Sequence, residues 1–328
     1  MQLASSHPNL SPSGVRVALA IAGGLLCLGP ADNAGVALVL GAAIGVLVGN
    51  PAPALTKKLA HHVLFGAVAG LGAGLSLKTL LDVGAQGIGG TVLGIVLCLS
   101  LGALFARVLK LETKLALLVT VGTAICGGSA IAAIAPVVRA KDDESSIALA
   151  TVFLLNGIAL FLFPAVGHLF HMSGHQFGWW SAIAIHDTSS VVGAAMRFGD
   201  GAVDLAVPLK LTRALYIVPV AVLVSALLPR IEGKKDASGG AVKVPWPWLA
   251  IAFLAVSTLF TFAPLDSVRP HVVSIARRGM VIALYLVGMG LTRATLKKVS
   301  GKALLFGTTL WIVMGTVTLI AVRLFVAV

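Results

Sequence analysis

Apolar runs long enough to cross a lipid bilayer follow one another along almost the whole chain, and that succession limits the fold more than any single motif. A spanning helix needs about 20 predominantly apolar residues. About eleven segments meet that requirement, near residues 15–29, 34–50, 60–81, 86–107, 115–138, 147–170, 179–197, 207–229, 246–262, 271–293 and 303–327. Only 11% of the residues are charged, against about 25% in an average soluble domain. The expected fold is an all-α polytopic membrane protein with about 11 transmembrane helices.

The polar remainder divides the chain. Residues 1–14 read as a cytoplasmic N-terminal tail, 15–229 as a first membrane region, 230–245 as a polar, Gly-bearing cytoplasmic linker, and 246–328 as the last three transmembrane helices. The tail lacks the basic start and cleavage site of a signal peptide, so none is expected. The net charge of +12 is spread over short loops, which points to positive-inside topology and not to nucleic acid. Loops after even-numbered segments carry Lys57 and Lys58, Arg107 to Lys114, Arg230 to Lys243, and Arg293 to Lys302. The loop after the sixth segment has only His171 and His175, and loops after odd segments are acidic or balanced, the Arg139-Ala-Lys-Asp-Asp-Glu144 run included. The N-terminus is therefore expected inside and the C-terminus outside, with an odd number of crossings. Cys27, Cys98 and Cys126 make no metal spacing, and His61, His62, His168, His171 and His175 lie at segment ends, so no metal and no cofactor is expected.

Two stretches break the apolar frame. His186-Asp187-Thr188-Ser189-Ser190 sets five polar residues in a row near the middle of the seventh segment. Successive helical residues rotate by about 100°, so five cannot share one face. Either the helix unwinds there or several of its faces are buried in protein. An ionisable group at that depth costs roughly 2.5–3.5 kcal/mol on insertion scales and normally faces a cavity or a partner. Asp187 is a candidate carrier of a coupling proton, and His186 can share that role. Thr188, Ser189 and Ser190 offer hydroxyls to an oxyanion or a cation. The alternative is a structural network that pins helix packing.

The second stretch, Cys126-Gly127-Gly128-Ser129, interrupts the fifth segment. Adjacent glycines favour an unwound turn, and lipid offers its freed backbone groups nothing. Amide dipoles there, with the Thr123 and Ser129 hydroxyls, suit an anion; small residues also serve close helix packing. Lys210 and Arg213, read as lying in the outer third of the eighth segment, project from one face three residues apart. They form a candidate attraction site for an anionic substrate, or else snorkel or pair with Asp200 and Asp204. Asn156, a lone amide in the sixth segment, completes the candidate set. Trp179, Trp180, Trp246 and Trp248 sit at segment starts, as an aromatic belt would. Internally, Gly72-Ala-Gly-Leu-Ser76 followed by Thr79-Leu80 is similar to Gly288-Met-Gly-Leu-Thr292 followed by Thr295-Leu296. That pairs the third segment with the tenth in opposite directions, the pattern of an inverted repeat.

At Gly122–Ala133, Ala184–Gly193 and Lys210–Arg213 the chain resembles the sulfate exporter family of conserved hypothetical bacterial membrane proteins (UPF0324), over most of its length. The resemblance implies the broad superfamily of cation/proton antiporters and bile-acid-type symporters, with an inverted repeat and two crossing, broken helices. A five-plus-five arrangement with one extra helix would pair the fifth segment with the tenth, so which helices cross stays open.

The expected function is secondary active transport: export of a small anion of the sulfate, sulfonate or carboxylate type, coupled to protons or sodium, in the bacterial cytoplasmic membrane, with a homodimer as one candidate assembly. The chain carries no Walker motif. An intramembrane serine hydrolase using Ser129 and His186 is one alternative, although Asp187 directly follows His186 and is poorly placed to orient the far ring nitrogen. An anion channel is another, but no ring of filter residues appears.

Overall fold

The computed structural model describes residues 12–29, 34–231 and 248–326. Residues 1–11, the connection 30–33 and nearly all of the 230–245 linker lie outside the described residues. Those described fold into α1 (Pro12–Leu28), α2 (Ala34–Ala43, prolonged by a π-helical turn, Ile44–Val48), α3 (Pro53–Leu71, prolonged by a 3-10 turn, Gly72–Gly74), α4 (Leu77–Val108), α5 (Thr113–Ala124), α6 (Gly128–Val137), α7 (Asp142–Leu169) and α8 (Gly174–Ala184). There follow α9 (Thr188–Phe198), α10 (Ala202–Ala214), α11 (Ile217–Ile231), α12 (Trp248–Phe262), α13 (Arg269–Met289), α14 (Arg293–Lys297) and α15 (Gly301–Phe325). Five spans are long and apolar enough to cross a membrane: α4, α7, α10 with the first part of α11, α13 and α15. Several shorter helices are equally apolar. An all-helical membrane fold therefore stands.

Two of the expected spans fold back on themselves. Lys114, at the start of α5, donates from Nζ to the Arg139 carbonyl just beyond α6, at 3.0 Å. In a single straight helix those residues would lie about 37 Å apart, at 1.5 Å per residue. A Cβ on Gly122 would likewise come within 2.9 Å of Ile131 Cδ1. The segment expected to span at 115–138 is thus a hairpin that turns at Ile125–Gly127. The one expected at 179–197 is a second hairpin, α8–α9. The rings of Phe177 and Phe198 stack 4.0 Å apart at its open end. A Cβ on Gly174 would fall 1.9 Å from the Asp200 carbonyl oxygen, so that crossing admits only glycine. The 28-residue α7, about 42 Å long, joins the two, and the hairpins open at opposite ends of it.

This geometry corrects two further expectations. The Arg139–Glu144 run shares an end with Lys114 instead of facing it across the membrane. Asp142, Asp143 and Glu144 fill the first turn of α7, where carboxylates offset the helix dipole, and Glu144 accepts from the Lys141 amide at 2.6 Å. Their acidity marks a helix start, not a membrane side. The third and fourth segments divide at Gly72–Leu75, not near residue 84, because Ser76 caps α4 by accepting from the Thr79 amide at 3.1 Å.

Packing does not follow the order of the chain. Helices α1, α2, α3, α12 and α13 form one group. In it α3 and α13 run antiparallel, with Cβ positions on Gly70 and Gly279 lying 3.0 Å and 3.2 Å from Ala276 and Ala67 respectively. Helices α4–α11 form the other group with α15. The groups meet along an apolar seam where Leu160, Val192 and Leu211 pack on Leu38, Phe253 and Leu284. Trp180 departs from the aromatic-belt expectation: it is buried and donates from Nε1 to the Gly315 carbonyl at 2.9 Å. The two similar Gly-rich stretches fold alike. Ser76 and Thr292 each end a turn with a side-chain oxygen, 3.1 Å and 3.2 Å from the amides of Thr79 and Thr295.

Candidate functional site

The tips of the two hairpins meet. Gly127 adopts φ +65°, and a Cβ built on it would lie 3.2 Å from Asp187 Cβ and 3.5 Å from Val152 Cγ1 of α7. A left-handed turn at that contact calls for glycine twice, for its dihedral and for the approach of the other tip. Asp187 caps α9: its Oδ2 accepts from the amides of Ser189 (3.1 Å) and Ser190 (3.3 Å) and from the Ser189 hydroxyl. An N-cap carboxylate stabilises a helix by about 1 kcal/mol, so the cap gives Asp187 a structural role beside any other.

The carbonyl ends of both first arms are held by one helix. The last carbonyls of α5 and α8 have no intrahelical donor, and lipid supplies none. Arg213 on α10 donates from Nε to Ala124 at the end of α5 and from Nη1 to Ile183 at the end of α8, the latter at 2.8 Å. Lys210, one turn earlier, donates from Nζ to Ile185 (2.6 Å) and Ala182 (3.3 Å). Two cations thus sit at two negative dipole ends, the placement that helix electrostatics favours. Lys210 is 0% exposed and Arg213 1%, and both lie level with the hairpin tips, not in the outer third of their segment. Immediately beyond them, at Leu215 and Tyr216, the span kinks, since Pro219 has no N–H to give the Leu215 carbonyl.

Around this junction lie polar atoms with no protein partner. His186 is 1% exposed with both ring nitrogens unpaired, Asn156 is 4% exposed with both amide atoms unpaired, and Arg213 keeps Nη2 unpaired. Asn156 is placed there by helical spacing. Val152, one turn before it on α7, touches Gly127, and Leu160, one turn after it, touches Gly193 of α9. Cys126, Thr188, Ser189 and Ser190 are buried at the tips, Gly128 is partly buried, and Ser129 is exposed. Thr123 is buried but spends its hydroxyl on the Val119 carbonyl of its own helix, at 2.9 Å. Sequence reasoning missed Trp311, whose ring lies edge-on to His186 with centroids 6.3 Å apart. Its position inside a span, apart from the tryptophans at segment starts, was the available signal.

An all-helical membrane protein in which two helical hairpins meet tip to tip over a buried basic pair is the class that fold and site define. Comparison with known proteins places the chain within it. The family model described as conserved hypothetical protein 698 matches residues 15–307. The chain is 48% identical over 301 residues to a UPF0324 membrane protein of Bdellovibrio bacteriovorus, covering 91% of each chain. It is 43% identical over 300 residues to one of Vibrio parahaemolyticus (90% of this chain, 94% of the relative), and 40% identical over 300 residues to one of Geobacter sulfurreducens (91% and 94%). No solved structure matches it significantly. The chain belongs to the UPF0324 family of membrane proteins.

Proposed function

We propose that this protein is a secondary active transporter that exports a small anion of the sulfate, sulfonate or carboxylate type, coupled to protons or sodium, across the bacterial cytoplasmic membrane. The contact of Gly127 with Asp187 carries the reading: two interrupted helices, entered from opposite ends, meet at one buried point. A site so placed can open to either side as one hairpin moves, and helix N-termini at such breaks suit anionic substrates. The junction holds one carboxylate, Asp187, and two buried cations, Lys210 and Arg213, an excess of positive charge. Arg213 Nη2 and the Asn156 amide have donor capacity left for an oxyanion, and Asp187 and His186 are the groups that can carry a proton. Since the other donors of Lys210 and Arg213 hold carbonyls, the pair acts on the anion chiefly through its charge and through the hairpin ends it fixes.

The antiparallel α3 and α13 and the opposed hairpins support an inverted repeat. Lys57, Lys58, Arg107, Lys110, Arg139, Lys141, Lys297, Lys298 and Lys302 all belong to the end at which Lys114 meets Arg139. That end is the cytoplasmic one by the positive-inside rule, with the N-terminus inside and the C-terminus outside. Replacing two spans by two hairpins keeps the number of crossings odd. The unpaired ring nitrogens of His186 and the exposure of Ser129 favour transport over hydrolysis, since no nucleophile–base hydrogen bond joins the two.

The test is uptake of labelled sulfate, a small sulfonate and a small dicarboxylate into proteoliposomes, with and without an imposed proton or sodium gradient. Gradient-dependent accumulation of at least one anion is expected. Equilibration that ignores both gradients would identify a channel, and no flux of any of them would refute the anion reading.

A further inference from the structure

A cavity of about 600 Å³ runs along α13 from the end of the molecule opposite the basic loops, and none of the hairpin-tip residues lines it. One face of α13 forms most of its wall: Pro270, Ser274, Arg277, Arg278 and Val281 recur there at helical spacing. Gly74 and Met196 close it from α3 and α9, so it straddles the seam between the two helix groups. Arg269, at the start of α13, also lines it. That side chain donates to the Phe260 carbonyl at 2.6 Å and to Asp266 at 3.1 Å, yet its Nε is buried without a partner.

Three arginines thus line one concave surface, in the half of the molecule away from the basic loops. Asp266 engages one of them, and Asp204 lies near enough to Arg277 to attract it. Neither Arg277 nor Arg278 makes a hydrogen bond or an ion pair among the described residues. Like charges lining a concave, partly apolar wall focus the field and concentrate counter-ions. Guanidinium forks match the paired oxygens of a phosphate, sulfate or sulfonate. The Ser274 hydroxyl adds a neutral donor beside them. We infer that this cavity is a second anion site that holds a tetrahedral oxyanion, either a free inorganic ion or the phosphate of a lipid headgroup. The inference does not rest on transport at the hairpin tips.

The full-length protein in detergent, titrated with sodium sulfate and with sodium phosphate at constant ionic strength, tests it by the shift in melting temperature. The comparison is between wild type, Arg277→Gln with Arg278→Gln, the charge-conserving Arg277→Lys with Arg278→Lys, and a control, Lys297→Gln with Lys298→Gln. A second arm follows retention of phosphatidylglycerol by native mass spectrometry during delipidation. The glutamine pair is expected to weaken the bound anion at least tenfold, the lysine pair less, and the control not at all. If the source is a lipid, the same order appears in retained phosphatidylglycerol, with free phosphate displacing it. Because Arg277 and Arg278 lie exposed on the protein surface and not in its packed interior, the variants are expected to fold. The lysine pair supplies the comparison even where the glutamine pair expresses poorly. Equal binding by all four proteins in both arms would overturn the inference, as would anion binding that survives the arginine changes and disappears in Asp187→Asn.

Discussion

Gly127 and Asp187, sixty positions apart in the chain, stand in contact at the tips of two hairpins that enter from opposite ends, so close that a Cβ on Gly127 would lie 3.2 Å from Asp187 Cβ. A methyl group on Gly127 would have to push Asp187 away and would also strain a left-handed backbone. Gly127→Ala is therefore expected to lower the melting temperature and to cut transport at least tenfold. Gly89→Ala, on α4 with open space around its Cβ position, is expected to do neither. Equal effects from the two, read by uptake and thermal unfolding, would mean that the tips do not need this contact.

Asp187→Asn separates charge from cap. Asparagine caps helices about as well as aspartate, so α9 keeps its start and the protein its fold. Transport is expected to be lost, or its dependence on pH to change. Uptake with an unaltered pH profile would leave Asp187 as a cap and nothing more.

Ser129→Ala distinguishes transport from hydrolysis. A hydroxyl that only adds to binding leaves measurable flux at weakened affinity, whereas a nucleophile takes all turnover with it. A stable adduct of a serine-reactive probe on the native protein, absent from the alanine variant, would favour the enzyme.

Arg213→Gln is expected to weaken anion binding at least tenfold, about 1.4 kcal/mol. Because Arg213 holds the carbonyl ends of both hairpins, it should also lower stability by several kcal/mol, the usual cost of breaking a buried charge contact. Lys234→Gln, in the linker outside the described residues, is expected to change neither. Small and similar effects from both, in binding isotherms and melting curves, would show that Arg213 does not organise the tips.

Much of the site could be read from the residues alone. Five polar positions in sequence at His186–Ser190 cannot sit on one helical face, and the structure breaks the helix at Ile185–Asp187. Cys126-Gly127-Gly128 marks the other break equally well. What hydropathy cannot give is direction. The 12 residues of α5, a three-residue turn and the 10 residues of α6 add up to the length of one crossing, so a hairpin and a span look the same. The acidic start of α7 then reads as an outer loop, and the error conceals itself because two hairpins preserve the odd count. The depth of Lys210 and Arg213 was hidden for the same reason, since their partners are main-chain carbonyls on other elements, which no side-chain pattern announces.

The opposed hairpins are the central claim, and sided cysteine labelling measures them directly. The native cysteines Cys27, Cys98 and Cys126 are buried and can be replaced by alanine to give a silent background. Single cysteines are then placed at Lys114, Arg139, His175 and Asp200 and treated with a membrane-impermeant maleimide from either face of sealed, oriented vesicles. The account predicts that positions 114 and 139 label from the cytoplasmic face and positions 175 and 200 from the other. Labelling of 114 and 139 from opposite faces would restore the straight spans and contradict it.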